Sequence, residues 1–152
     1  MFISFLLIVI SVLLFSLIIF VHELGHFMTA RYAGIKVNEF AIGMGPVVFK
    51  KQKGETVYSL RLLPIGGYCA MEGEDGESDD ANAFGKKSVY KRILVVAAGA
   101  IMNIILAFVF MVIILTQRSE FASTTIGSFS NDAVTSQYGL QVGDKILSID
   151  GY

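Results

Sequence analysis

MFISFLLIVISVLLFSLIIFVHELGHF, residues 1–27, joins an uncharged apolar run directly to a short polar motif. From Met1 to Val21 there is no charge, and only Ser4, Ser11 and Ser16 interrupt the apolar residues. About 20 residues at a rise of 1.5 Å cover a hydrocarbon core of about 30 Å, so the run is long enough to cross a membrane as a helix. A signal peptide would need a basic start, a shorter apolar stretch and a small-residue cleavage site, none of which is present. The spacing predicts one retained helix from about Ile3 to Tyr32, stopped by Gly34. His22 and His26 are i and i+4 on that helix, so they share one face. Two neutral imidazoles so placed can hold one zinc ion, and Glu23 then lies where it can take a proton from metal-bound water. With only two His in the chain, chance would produce this His-Glu-x-x-His pattern roughly six times in ten thousand.

The whole composition agrees with a membrane protein. The chain of 152 residues is 54 % hydrophobic and 16 % charged, with mean hydropathy +0.64, well above the globular average. No basic patch with interleaved aromatic residues points to nucleic acid. The single Cys69 excludes an internal disulfide.

Ile93–Leu115 is a second uncharged apolar run, and the reading places a second spanning helix over 93–116. Its small residues Ala97-Ala98-Gly99-Ala100 suit close approach to the first helix. Asn103 is the one strong hydrogen-bonding group in this span. It reads either as an interhelical bond or as a contact to a substrate backbone.

Between the spans lies a polar segment, 35–92. Gly43-Met44-Gly45-Pro46 marks a turn. Val47–Phe49 and Thr56–Leu62 flank Lys53-Gly54-Glu55 and predict a β-hairpin closed by Pro64-Ile65-Gly66-Gly67-Tyr68. The hairpin reads either as a plain surface feature or as a sheet edge that receives an extended chain. Glu72–Asp80 is acidic but lacks EF-hand spacing, so a solvated loop is expected. Ten of the twelve Lys and Arg lie from Arg31 to Arg92. The positive-inside rule therefore puts 35–92 in the cytoplasm and both chain ends outside. Residues 124–152 change character: Ile126–Phe129 and Lys145–Ile149 read as strands, with a turn at Gly139–Asp144. The fold class expected is an α-helical membrane protein of two transmembrane helices and an intervening β-hairpin, followed by the start of a further domain.

HELGH at the end of a first span, the Gly43-Met44-Gly45 turn, PIGGY at 64–68 and a basic lead into AAGAIMN at 97–103 together resemble the site-2 protease family. The resemblance is to the bacterial regulator-of-sigma-factor group in particular. GLQVGDKILSIDG, 139–151, resembles the opening of a PDZ domain, giving 124–152 as the start of such a domain. The resemblance implies a zinc metalloprotease of the bacterial cytoplasmic membrane, with Zn2+ on His22 and His26 and Glu23 as catalytic acid/base. It implies substrate contacts at Gly43, Gly45, Gly66, Gly67 and Asn103, and a β-loop that associates with the lipid bilayer. Transmembrane proteins, such as an anti-sigma factor or a remnant signal peptide, would be the substrates of regulated intramembrane proteolysis. Ala100 departs from the family by replacing a Pro. The family's third zinc ligand is an Asp in a later span, and Ile149-Asp150-Gly151 is not that motif because no apolar span surrounds it. The expectation is therefore an N-terminal portion that alone binds zinc poorly and cleaves little. A non-catalytic anchor presenting a PDZ-like module and a metal transporter are the alternatives.

Overall fold

The computed structural model describes residues 2–117, 124–130 and 139–148. Helix α1 spans Phe2–Ala33 and helix α2 spans Val89–Thr116, with the strands β1, Val37–Lys53, and β2, Thr56–Met71, between them. The expected fold of two long apolar helices and an antiparallel hairpin is thus present. The expected positions hold for α1, while α2 begins four residues before Ile93 and takes in Lys91 and Arg92.

Each helix is uniformly apolar along most of its length, and both are long and apolar enough to cross a membrane. Large residues such as Phe2, Phe5, Phe15, Ile104 and Phe108 are exposed. Contiguous apolar surface on that scale is stable only against lipid or another apolar partner. The hydroxyls within the first span are satisfied locally, Ser11 Oγ donating to Leu7 O and Ser16 Oγ to Val12 O, both at 2.8 Å. Helix α1 ends as its sequence requires. Gly34 takes φ +73°, Gly34 N–H donates to Arg31 O and Ile35 N–H to Ala30 O at 3.2 and 2.9 Å. That is the glycine-terminated Schellman pattern. Lys91 adds a charge to the same helix end by donating from Nζ to Ala33 O at 3.0 Å, where a cation meets the negative end of the dipole.

The hairpin is longer than the sequence reading expects. The glycine turns at 43–45 and 66–67 do not end the strands; β1 and β2 run through them with register shifts. Gly43, Gly45 and Gly66 have φ of +83°, +85° and +83°, so they bend the strands as bulges rather than break them. At Gly43 a Cβ would lie 2.5 Å from Leu63 O, so the partner strand needs the missing side chain there. The first half of β1 is paired on both sides: Phe40 faces Cys69 and Tyr58, Ala41 faces Tyr68 and Ser59, and Ile42 faces Gly67 and Leu60. This doubling back puts Val37–Ile42 in the middle and leaves Gly67–Met71 along an outer edge.

The buried core is small and joins the sheet to the end of α1. Ala30, Ala33, Ile35, Val37, Phe40, Cys69, Met71 and Val95 form it, with Phe20, Leu24, Phe27, Tyr58 and Phe84 packed against it. Phe40 sits between Phe20 and Phe27, with ring centroids 6.1 and 4.8 Å away. Across the hairpin, Arg61 donates to Glu39 Oε1 and to Gly45 O, both at 2.9 Å, and to the Tyr68 hydroxyl. Ser59 Oγ donates to the same Glu39 oxygen at 2.5 Å. Burial works to raise the pKa of Glu39, but the hydrogen bonds from Ser59, Tyr68 and Arg61 outweigh it and hold the carboxyl below its ordinary range.

The acidic loop after β2 is exposed or half-exposed throughout, as expected, and it is also anchored. Glu72 accepts from Asn38 Nδ2 and Ser78 Oγ at 2.8 and 2.7 Å, and Asp80 accepts from Lys36 Nζ at 2.8 Å.

Residues 113–152 form a second unit. Within it Thr125 bridges Lys145 in antiparallel sense. Ile126 N–H donates to Asp144 O, Gly143 N–H to Ile126 O and Ile146 N–H to Thr124 O, each at 2.8 Å. The expected turn falls at 139–144, but the expected strands at 126–129 and 145–149 are not formed among the described residues, where one isolated bridge joins Thr125 to Lys145. Ile149, Asp150 and Gly151 lie outside the described residues.

Candidate metal centre

The site is built where α1 meets α2. His22 and His26, one turn apart as their spacing requires, turn their rings toward each other so that the two Nε2 atoms lie 3.1 Å apart. The opposing face of α2 is formed by Val95, Gly99 and Asn103, which are also spaced by four. Val95 O lies 2.8 Å from His26 Nδ1. Asn103 Nδ2 lies 3.2 Å from His22 Nδ1. Because His22 meets Asn103 while His26 meets Val95, the two helices run antiparallel.

Gly99 occupies the point between these contacts. A Cβ there would lie 2.5 Å from His26 Nε2 and 2.7 Å from His22 Nε2. The missing side chain lets both imidazole rings pack directly against the backbone of α2. The helices close tightly one turn along as well: a Cβ on Gly25 would lie 2.6 Å from Ala98 O. Sequence reading assigned the 97–100 run to helix packing alone and missed Gly99 as part of the site. The signal that could have found it is the spacing 95, 99, 103, which repeats the spacing of the histidines on the facing helix.

These residues fit a zinc ion. Zinc–nitrogen bonds of about 2.0–2.1 Å at a tetrahedral angle place two ligand nitrogens about 3.3 Å apart, close to the 3.1 Å observed. The Nδ1 of His26 faces a carbonyl, which can only accept, so its proton is on Nδ1 and Nε2 keeps its lone pair. Among the described residues no third His, Cys, Asp or Glu joins the pair.

Glu23 and His26 also border a cavity of ≈ 540 Å³ whose other walls are Tyr68, Cys69, Ala70 and Met71 of β2, with Glu74 and Asp75 beyond them. The outer edge of the sheet therefore reaches the carboxylate beside the histidines. Gly67 belongs to this wall; a Cβ on it would meet Ala41 O at 2.7 Å and Glu23 Cγ at 3.9 Å. Gly43, Gly45 and Gly66 instead pack within the hairpin, against Leu63 and Met44. Asn103 is brought to His22. Burial raises the carboxyl of Glu74 above its ordinary value, and the charge of Glu23 adds to this. Burial likewise pushes the Cys69 thiol up to about 12, helped by the charges of Glu23 and Glu74.

The arrangement is a helix-borne His-Glu-x-x-His motif set against a facing apolar helix and the edge of a hairpin, a motif that puts two potential metal-ligating nitrogens on one helix face. Over residues 10–146 the chain matches the family model described as peptidase family M50, the site-2 proteases, and it belongs to that family. The family uses zinc. The chain is 46 % identical over 144 residues to a Clostridium perfringens protein provisionally named a zinc metalloprotease, covering 95 % of this chain and 43 % of that one. A Clostridium acetobutylicum protein with the same provisional name is 45 % identical over 149 residues, covering 98 % and 44 %. A chloroplastic protein of Arabidopsis thaliana, provisionally named a membrane metalloprotease, is 36 % identical over 146 residues, covering 88 % and 32 %. The chain thus spans less than half the length of these curated relatives.

Proposed function

We propose that this chain carries the His-Glu-His part of the active site of a membrane zinc endopeptidase. Its substrates are peptide bonds in or near the transmembrane segments of other membrane proteins. The observation that carries the reading is the approach of the two Nε2 atoms to 3.1 Å, both rings packed against Gly99, with Glu23 lining the adjoining cavity. His22 and His26 hold the metal together with a ligand supplied from outside the described residues. When bound, zinc polarises a water molecule and the scissile carbonyl. Glu23 takes the proton of the attacking water and passes it to the leaving amine.

A substrate helix hides its backbone in internal hydrogen bonds, so the segment must become extended before attack. The outer edge Gly67–Met71 lines the same cavity as Glu23. A segment added to that edge as a strand would run past the carboxylate. The hairpin itself exposes Met44, Val47, Val48, Phe49, Leu62 and Leu63, which supports its lying in the surface of a bilayer. Anti-sigma factors and remnant signal peptides are the substrate classes suggested by the family resemblance, in regulated intramembrane proteolysis. The basic residues from Arg31 to Arg92 favour a cytoplasmic hairpin in a bacterial cytoplasmic membrane. The pairing of 124–126 with 143–146 supports a PDZ-like opening in this segment.

The test is Glu23→Gln in the full-length protein, assayed on a tagged transmembrane substrate. Zinc content stays at the wild-type level while cleavage falls by at least a hundredfold. Cleavage within a few-fold of wild type would remove Glu23 from its role.

A further inference from the structure

We propose that Arg61 is a positioning residue for the outer edge Gly67–Met71. It ties that edge across the sheet and so sets which peptide bond of an added strand lies beside Glu23. Arg61 itself is not part of the cavity wall at Glu23 and His26; it acts through Glu39 and Tyr68. The inference rests on the reading above, that a substrate segment joins this edge as a strand.

Strands β1 and β2 fold into four paired segments. The edge 67–71 lies beside 37–42, which lies beside 57–61, which lies beside 47–52. Side chains alternate between the faces of a strand. Phe40 and Cys69 turn into the core on one face, while Glu39, Ser59, Arg61 and Tyr68 meet on the other. There the guanidinium reaches three of the four segments. Arg61 Nη2 donates to Glu39 Oε1 at 2.9 Å and to the Tyr68 hydroxyl, and Nη1 donates to Gly45 O at 2.9 Å. Its central carbon lies 5.0 Å from the centre of the Tyr68 ring. Ser59 Oγ holds the same Glu39 oxygen at 2.5 Å, so the carboxylate is fixed from two sides.

The edge needs such a tie at its glycine end. Gly66, at φ +83°, is the bend that leads into it, and Gly43 and Gly45 form the facing bend. Glycine leaves the backbone free and offers no side chain to anchor it. Gly67 is the edge residue that passes Glu23, since a Cβ on it would lie 3.9 Å from Glu23 Cγ. Cys69 and Met71 anchor the other end of the edge in the core. Tyr68 is therefore the first side chain by which the glycine end is held, and Arg61 holds its hydroxyl. The same guanidinium holds Gly45 O, so both bends are fixed from one point. An added strand takes its register from the edge it joins, and an edge that shifts would present a different bond to Glu23. Arginine suits this place because its planar fork donates in several fixed directions at once, which the ammonium of a lysine does not.

The experiment uses the full-length protein in detergent. The probe is a tagged single-span membrane protein with a glycine pair inside its apolar segment, and the cut position is mapped by mass spectrometry of the fragments. Wild type cuts at a fixed position. Arg61→Leu keeps its zinc but spreads the cuts to bonds about two residues to either side, because slips of two keep each side chain on its face. Its kcat/KM at the main position falls roughly 10- to 100-fold, the scale of losing charge-assisted hydrogen bonds. Tyr68→Phe removes only the hydroxyl tie and gives the same spread with a smaller loss. Thr56→Val is the control. It removes the buried bond from Thr56 Oγ1 to Val37 O, 2.8 Å long, at the end of the sheet remote from Gly66, and it lowers stability without moving the cut. An unchanged position in both Arg61→Leu and Tyr68→Phe overturns the proposal. An equal spread in Thr56→Val also overturns it, since sheet stability would then be the cause. Hydrogen exchange separates the levels without any substrate: amides of 66–68 lose protection in both variants while those of 40–42 keep theirs. If that pattern is found and wild type leaves the probe uncut, the endopeptidase reading fails and the tether stands. Wild-type protection at 66–68 in both variants overturns the tether itself.

Discussion

Gly99→Ala tests the close approach of α2 to the histidines most directly. The added methyl would lie 2.5 Å from His26 Nε2 and 2.7 Å from both Cε1 and Nε2 of His22. Comfortable non-bonded separations are about 3.5–4.0 Å, so the overlap is about 1 Å on two rings at once. Neither ring can yield cheaply, because His26 is tied to Val95 O and His22 to Asn103. If α2 withdraws by about 1 Å, the His26–Val95 hydrogen bond is lost. Overpacking of this kind costs about 1–3 kcal/mol, and the bond adds about 1 kcal/mol. Rings displaced in this way no longer hold the spacing that a metal shared by both nitrogens would need. A loss of about 2–4 kcal/mol corresponds to roughly a 30- to 1,000-fold fall in zinc affinity. The assay is chelator competition on purified Gly99→Ala protein, with Ala100→Gly as the neighbouring control expected to bind zinc like wild type. Wild-type zinc affinity in Gly99→Ala would refute the reasoning, because the two nitrogens could not then close on that face of α2.

Three further outcomes follow from other parts of the molecule. Gly25→Ala brings a Cβ within 2.6 Å of Ala98 O and should lower stability by about 1–3 kcal/mol, read as a lower midpoint of thermal unfolding in detergent. The acidic loop should loosen in acid. The hydrogen bond from Lys36 holds Asp80 below its ordinary 3.8, and those from Ser78 and Asn38 hold Glu72 below 4.5. Folded-state values below the unfolded ones mean that the stabilisation is complete above about pH 4.5 and is lost as pH falls through the depressed values. Protection factors over residues 72–87, that is exchange rates corrected for their intrinsic pH dependence, should therefore be unchanged from pH 7 to 5 and fall below about 4; steady protection to pH 3 would count against these contacts. Cys69, buried and pushed up to about 12, should resist iodoacetamide at pH 8 in the folded protein and react at once in denaturant. Equal labelling in both states would show the thiol to be exposed.

The departures from the sequence reading have a common cause. Glycine next to proline at 43–46, and Gly66-Gly67 after Pro64, signal turns locally because positive φ and missing N–H groups usually end strands. Here the partner strand supplies a context that local signals do not carry: Leu63 O approaches Gly43, and Met44 packs on Gly66, so the chain bends and continues pairing. Glu72–Asp80 is solvated as its acidic composition suggests, but its anchoring was not legible locally. The cations and amides that anchor it, Lys36 and Asn38, lie more than thirty residues away in sequence.

What the sequence determined by itself is whatever depends on contiguous residues. Uninterrupted apolar runs set both helices, the i, i+4 spacing put His22 and His26 on one face, and Gly34 ended α1 through its own backbone freedom. Only the tertiary structure decided what faces that pair. Val95 O on one ring, Asn103 on the other, Gly99 between them and the edge Gly67–Met71 beside Glu23 come from segments forty or more residues away. Their roles depend on gaps of a few tenths of an ångström between packed backbones. Close packing makes such gaps specific, and no local pattern of residue types encodes them.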